Sequence, residues 1–269
     1  MTAAVDVSSP SGSRSTHSIP EIVTPLLPVT QVITHLGTNP MLTMPVVVGV
    51  EPDVDAAWHR LAEVADFFGI AMPGLDDFRV AVLEQLPVTR PVGTLLAVTA
   101  TVFDVDGQSR VVVASEPVEP VRPAPVRIGR CDAVGLVPRS ADPVWRRMAG
   151  RTTSRGHLDQ FQRWLADQGW VDAVPVAVPH AKPSDAPYLG ALVVETAAGL
   201  SGIEDPEPAS LLDQLAACGV IANVDGTGRV PADVTRAWWV SPRFLIHPVA
   251  DLDGTSLPAH GAPPFVEQR

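Results

Sequence analysis

Residues 150–176 read GRTTSRGHLDQFQRWLADQGWVDAVPV, three kinds of structure in succession. The run RTTSR, Arg151 to Arg155, packs hydroxyls and guanidiniums where a helix is about to begin, and hydroxyl residues there satisfy the free N–H groups of a first turn. From Ser154 to Gly169 the period is helical. Leu158, Phe161 and Leu165 fall on one face, with Arg163 and Asp167 opposite. The strand VDAVPVAV follows directly. A polar run opening a helix that feeds a strand is a natural wall for an anion site, because helix-opening amides, hydroxyls and guanidiniums all donate.

Working outward, Val54, Ala57, Trp58, Leu61, Val64, Ala65 and Phe68 recur at three and four residues, which predicts an amphipathic helix started near Asp53 or Asp55 and stopped by Gly69. A second helix is expected over Leu75–Leu86, between Pro73 and Pro87. TLLAVTATVFDVDG and SRVVVASEPV are β-branched strands joined at Asp106-Gly107, a hairpin signal. The pieces VTQVITHL and MPVVVGV before Val50 are β-like. Beyond the proline-rich VEPVRPAPVR, the pattern predicts strands in VRIGRCDAVGLV, YLGALVVET and RAWWVSP. Helices are expected in ADPVWRRMAG and over residues 208–219. FLIHPVADLDG reads as a short apolar piece. The expected organisation is a disordered tail over 1–20, an α+β lobe over 21–117, an extended connection over 118–127 and a β-rich lobe over 128–269. Two lobes imply a cleft.

The formal net charge of -11 and pI of about 5.0 argue against nucleic acid or an anionic membrane as partner. The N-terminal residues lack the apolar stretch of a signal peptide, and no run is long and apolar enough for a transmembrane helix, so a cytoplasmic location is expected. Cys131 and Cys218 have neither disulfide-framework nor metal-ligand spacing. No Gly-rich phosphate loop is present. His35, His157, His180 and His247 are the residues able to move protons near neutrality, though no two share helical metal spacing. Tryptophans 164, 170, 238 and 239 suit a core or a lobe interface.

Four segments, in order, resemble the class IV aminotransferases, a family that includes branched-chain aminotransferases, D-amino-acid aminotransferases and 4-amino-4-deoxychorismate lyases. They are VDAAWHRLAEVADFFGIAMP, LLAVTATVFDVDG, GRTTSRGHLDQFQRWLADQGWVDAVPV and VPADVTRAWWVSPRFLIHPVADLDG, which together span most of residues 32–260. The resemblance implies an α+β, two-lobed fold-type-IV architecture and the family's usual homodimer. It also implies pyridoxal phosphate (PLP), joined as a Schiff base to a lysine amine. Residue by residue the match is uneven. Arg60 matches the family's phosphate-binding arginine, while the histidine three positions earlier is Ala57. Arg151 stands in the lysine position, and a guanidinium stays protonated and cannot serve as that nucleophile. Asp185 and Glu195 are both candidates for the carboxylate beside the pyridine nitrogen. SGIEDPEPASLLDQL, at the phosphate turn, is acidic. Ser241, Pro242 and Arg243 replace the last phosphate-binding segment.

The chain has one lysine, Lys182, against eighteen arginines. On these grounds the expectation is a protein of this architecture that binds or acts on a small anionic metabolite, an amino acid or carboxylic acid, with no cofactor. Arg151 is the candidate catalytic residue, and Arg60, Thr152, Thr153, Arg155 and Arg243 are the anion-binding candidates. An active PLP-dependent aminotransferase or aminodeoxychorismate lyase-like enzyme is the alternative, as is a non-catalytic binding or assembly partner. No metal is expected.

Overall fold

The structure is a computed structural model, and it describes residues 38–86, 89–105, 108–132, 144–176, 184–205, 210–258 and 261–267. The expected tail, His35, the Asp106-Gly107 turn, His180 and Lys182 lie outside the described residues.

Two sheets carry the fold. Strands β1 (Met41–Val47), β2 (Leu95–Val105) and β3 (Gln108–Val118) form an antiparallel sheet in that order. Helices α1 (Val54–Phe68) and α2 (Leu75–Glu84) cover one of its faces. The α1 boundaries follow the sequence signals. Asp53 Oδ1 accepts from Ala56 N at 3.0 Å, and Gly69 closes the helix at φ 67°, a left-handed conformation that costs glycine little.

The larger sheet runs β5-β4-β9-β8-β6-β7, with β10 paired to β9. Its strands are β4 (Val126–Cys131), β5 (Asp172–Pro175), β6 (Ala191–Thr196), β7 (Gly199–Ile203), β8 (Arg236–Val240), β9 (Ile246–Leu252) and β10 (Thr255–Ser256). The β4–β5 and β4–β9 pairs are parallel and the rest antiparallel. Helices α3 (Val144–Gly150), α4 (Gly156–Asp167) and α5 (Leu211–Ala217) complete the second half. The segment FLIHPVADLDG therefore forms a central strand, β9, and Gly199–Ile203, expected as part of a turn, is a paired edge strand.

Strand alternation explains how two lobes share one interior. In β6, Ala191 and Val193 face one core while Leu192 and Val194 face another, and in β8, Trp238 and Val240 oppose Ala237 and Trp239 in the same way. In β2, Leu96, Val98, Ala100 and Val102 pack under α1 and α2, while Leu95 and Ala97 join Ala191, Val193, Leu215, Trp238 and Phe265. That last cluster crosses between the lobes. The lobes are also joined through the backbone: Met41 N donates to Arg151 O at 2.9 Å, and Thr153 N donates to Asn39 O at 2.9 Å. The RTTS run is thus paired to the lead-in of β1.

Candidate functional site

Each sequence-predicted residue has a definite place. Arg60, on α1, lines a cavity of about 190 Å3 between β1, α1 and α5, walled by Leu42, Met44, Val47 and Ala57 with Asp213 and Cys218 across the gap. One turn further along α1, Glu63 Oε2 accepts from Arg151 Nη1 at 3.0 Å. Arg151 closes the turn after α3, and its side chain is only 17% exposed. Thr152 is fully buried; its hydroxyl donates to Ala149 O at 2.8 Å and accepts from Ser154 N at 3.2 Å. Thr153 Oγ1 accepts from Asn39 N at 3.1 Å. The two threonine hydroxyls therefore serve the turn and the inter-lobe seam.

Arg155 precedes α4 and is half-buried. Among the described residues no hydrogen bond or ion pair holds its guanidinium. Burial lowers its pKa, Asp159 opposes that, and Arg243 lowers it further. Arg155 and Arg243 are therefore close enough to repel. Arg243 sits in the β8–β9 turn, which Ser241 organises by accepting from Arg243 N at 3.3 Å and Leu245 N at 3.0 Å. Arg243 Nη1 donates across to Glu116 Oε1 of β3 at 2.9 Å. Two of these guanidiniums, Arg151 and Arg243, are bound to carboxylates of the first lobe, Glu63 and Glu116, while Arg60 lines a cavity whose walls include none of the other three.

The carboxylates considered for a pyridine nitrogen are both engaged. Asp185 lies 3.6 Å from Arg130 and 3.9 Å from Arg229, and accepts from Val230 N at 3.1 Å. Glu195 holds Arg236 at 2.5 Å. In the acidic turn before α5, Glu204 accepts from Leu212 N at 3.2 Å and bonds to Ser210 and to the Leu211 amide. Burial raises its pKa, against those hydrogen bonds. His247 Nδ1 is 3.1 Å from Ala124 O, on the proline-rich connection.

One residue the sequence did not flag dominates the electrostatics. Asp172, first in β5, is fully buried. Oδ1 accepts from Ala173 N at 2.8 Å and from Tyr188 N and Leu189 N at 3.1 Å. Oδ2 accepts from Leu189 N at 3.1 Å, Gly190 N at 2.8 Å and Trp239 Nε1 at 3.0 Å. Burial pushes its carboxyl up to about 6, against hydrogen bonds from Gly190, Ala173, Trp239 and Leu189 that pull it down. Between the ordinary 3.8 and about 6, the folded chain binds a proton at Asp172 that the unfolded chain has lost. Stability from this group is present below that window and falls as pH rises through it. Urea midpoints compared at either end of the window should show the fall, and Asp172→Asn should flatten it.

No family model matches the sequence, and no curated protein does. Solved structures do match. A hypothetical aminotransferase from Mycobacterium tuberculosis aligns at 21% identity over 89% of this chain and 91% of that one, with a TM-score of 0.59. This is the fold-type-IV aminotransferase architecture. A fold IV transaminase from Curtobacterium pusillum aligns at 18% identity, covering 87% of this chain and 86% of its own, also at 0.59. A putative 4-amino-4-deoxychorismate lyase from Legionella pneumophila aligns at 15%, covering 88% and 91%, at 0.57.

These structures correct the expectation of no cofactor. The Mycobacterium tuberculosis protein has a PLP-bound form and a form with α-ketoglutarate and PMP, and a matching aminotransferase from Brucella abortus is bound to PLP. The expectation rested on Arg151 in the lysine position, on the lack of a clear carboxylate for the ring nitrogen and on an acidic phosphate turn, and the first of these bears only on the covalent link. Among the described residues the fit to PLP is partial. Guanidiniums suited to a phosphate are present at Arg60, Arg155 and Arg243. The amides that open α5 are taken by Glu204, and Asp185 and Glu195 are ion-paired. No described residue is a lysine. Among the described residues, too, no helix is long and apolar enough to cross a membrane, and no cluster of metal-ligating side chains occurs.

Proposed function

We propose that this chain is a transferase- or lyase-like enzyme that takes PLP and acts, as a cytoplasmic homodimer, on a small amino acid or carboxylic acid held between its lobes. The observation that carries the reading is an architecture matched along about nine-tenths of the chain by proteins whose structures hold PLP. PLP, when bound, supplies a ring that draws electron density from the substrate carbon beside its nitrogen. The chain's own residues supply cations. Arg60 faces the cavity between α1 and α5, and Arg155 and Arg243 offer donors to a carboxylate or phosphate. Arg151, tied to Glu63, fixes the end of α3 against α1 and contributes positive charge, not a nucleophile.

The disagreement at the amine leads to a sharp test. Only Lys182 offers a side-chain amine in the whole sequence. The chain should take up PLP with an absorbance band in the near ultraviolet to blue. Borohydride followed by peptide mass analysis should place the label on Lys182, and Lys182→Ala should lose the label. Light scattering on the same sample reads the dimer. A chain that takes up no PLP under these conditions ends the reading.

A further inference from the structure

The cavity beside Arg60 opens between the lobes, with β1 and the start of α1 on one side and α5 on the other. Its floor is apolar, since Met44, Val46, Val47 and Ala57 are all buried. The exposed part of its lining carries carboxylates. Glu51 and Asp53 stand at the entry to α1, and Asp213 stands in the first turn of α5. Arg60, two turns along α1 from Asp53, is the one cation on the lining among the described residues. Among the described residues neither Glu51 nor Asp213 forms an ion pair. Arg79, whose charge Glu51 feels, is already held by Asp55 and Asp76. A cleft in which one sign prevails between apolar walls concentrates its field on the space it encloses, and here that field favours a cation. A bare metal ion does not answer to it, because among the described residues no three metal-ligating side chains come together. The cation must bring an apolar body for the floor. The volume sets its size: about 190 Å3, against roughly 10–15 Å3 for one water and upward of about 300 Å3 for a drug-sized ligand.

We propose that this cavity binds a small primary alkylammonium, with its chain on the apolar floor and its ammonium among Glu51, Asp53 and Asp213. Such a ligand touches both lobes at once, through β1 and α1 of the first and α5 of the second. It needs neither PLP nor an acid substrate to be present. Arg60, two turns from Asp53, remains for an anion.

Butylamine, protonated at neutral pH, is the probe, with 1-butanol and butyrate as bodies of like size carrying no charge and a negative charge. Each is titrated calorimetrically into the full-length chain without added PLP. The ammonium should bind, the alcohol about tenfold more weakly, the scale of one charge-assisted hydrogen bond, and butyrate more weakly still. Asp213→Asn and Glu51→Gln keep the side-chain shape at exposed positions. Each should lower the affinity for butylammonium about threefold to fivefold, the size of one exposed ion pair. The two thiols locate the ligand, because Cys218 lines this cavity and Cys131 does not. Saturating butylammonium should slow modification of Cys218 by a soluble disulfide reagent, read by peptide mass analysis, and leave Cys131 unchanged. Equal affinity for the three probes, or butyrate as the tightest, overturns the proposal, as do variants that bind like the wild type. Binding heat that leaves Cys218 unprotected also overturns it, since the amine then sits elsewhere. So does the absence of any binding heat, and labelling of Lys182 by PLP would still report on the enzyme reading separately.

Discussion

Asp172→Ala should lose about 3–5 kcal/mol of stability, read as a drop in the urea midpoint at unchanged slope, because it strands a set of buried donors. Four backbone N–H groups and one indole N–H converge on this carboxylate. Removing it leaves them inside a fully buried site without an acceptor. The donors come from three places: Ala173 in β5, residues 188–190 on the way into β6, and Trp239 in β8. The carboxylate therefore fastens the edge strand β5 and the start of β6 to the middle of the sheet. Asp172→Asn is the informative companion. It keeps the shape, but its amide nitrogen must face N–H groups on one side, so it should recover part of the loss and not all. A variant as stable as the wild type would mean that these donors are satisfied in another way.

The second large effect lies at the neighbouring residue. A Cβ added at Gly190 would sit 2.2 Å from Val240 O and 2.7 Å from Trp239 Nε1. The first atom is backbone at the Ala191–Val240 end of the β6–β8 pairing, and it cannot move aside without disturbing that end of the ladder. Gly190→Ala should cost about 3 kcal/mol, the upper part of the range for overpacking a tight interior. Its melting temperature compared with wild type checks this. Because Gly190 N also donates to Asp172 and Trp239 is shared, the two substitutions should not be additive when combined.

The sequence disclosed elements whose signals are local. Helix α1 was legible because seven apolar residues kept a helical period and Gly69 supplied the stop, and the structure ends the helix at Phe68. The β2–β3 hairpin was legible from two β-branched runs, and they pair along their whole length. Strand β7 was missed because GLSGI is made of small residues that read as a turn, and it is held only as a partner of β6. Strand β9 was missed because Pro248 and the following Asp residues look like punctuation, although Pro248 is paired opposite Trp238 inside the sheet. Long-range chemistry left no local trace. A lone aspartate at the start of a strand carries no signal of burial, and nothing near Asp172 announces Trp239, 67 positions on. The guanidiniums of the RTTSR run were legible as a cluster. Their carboxylate partners were not, since Glu63 lies 88 residues from Arg151.

The strip of main chain where Asn39 and Met41 meet Arg151 and Thr153 has a mechanical consequence. Together with the apolar cluster that runs from Leu95 and Ala97 to Trp238 and Phe265, it welds the two halves into a single body. Prising them apart would unzip amide pairs and wet an oily seam at the same moment. Separation of the halves should therefore coincide with unfolding instead of preceding it as an independent opening.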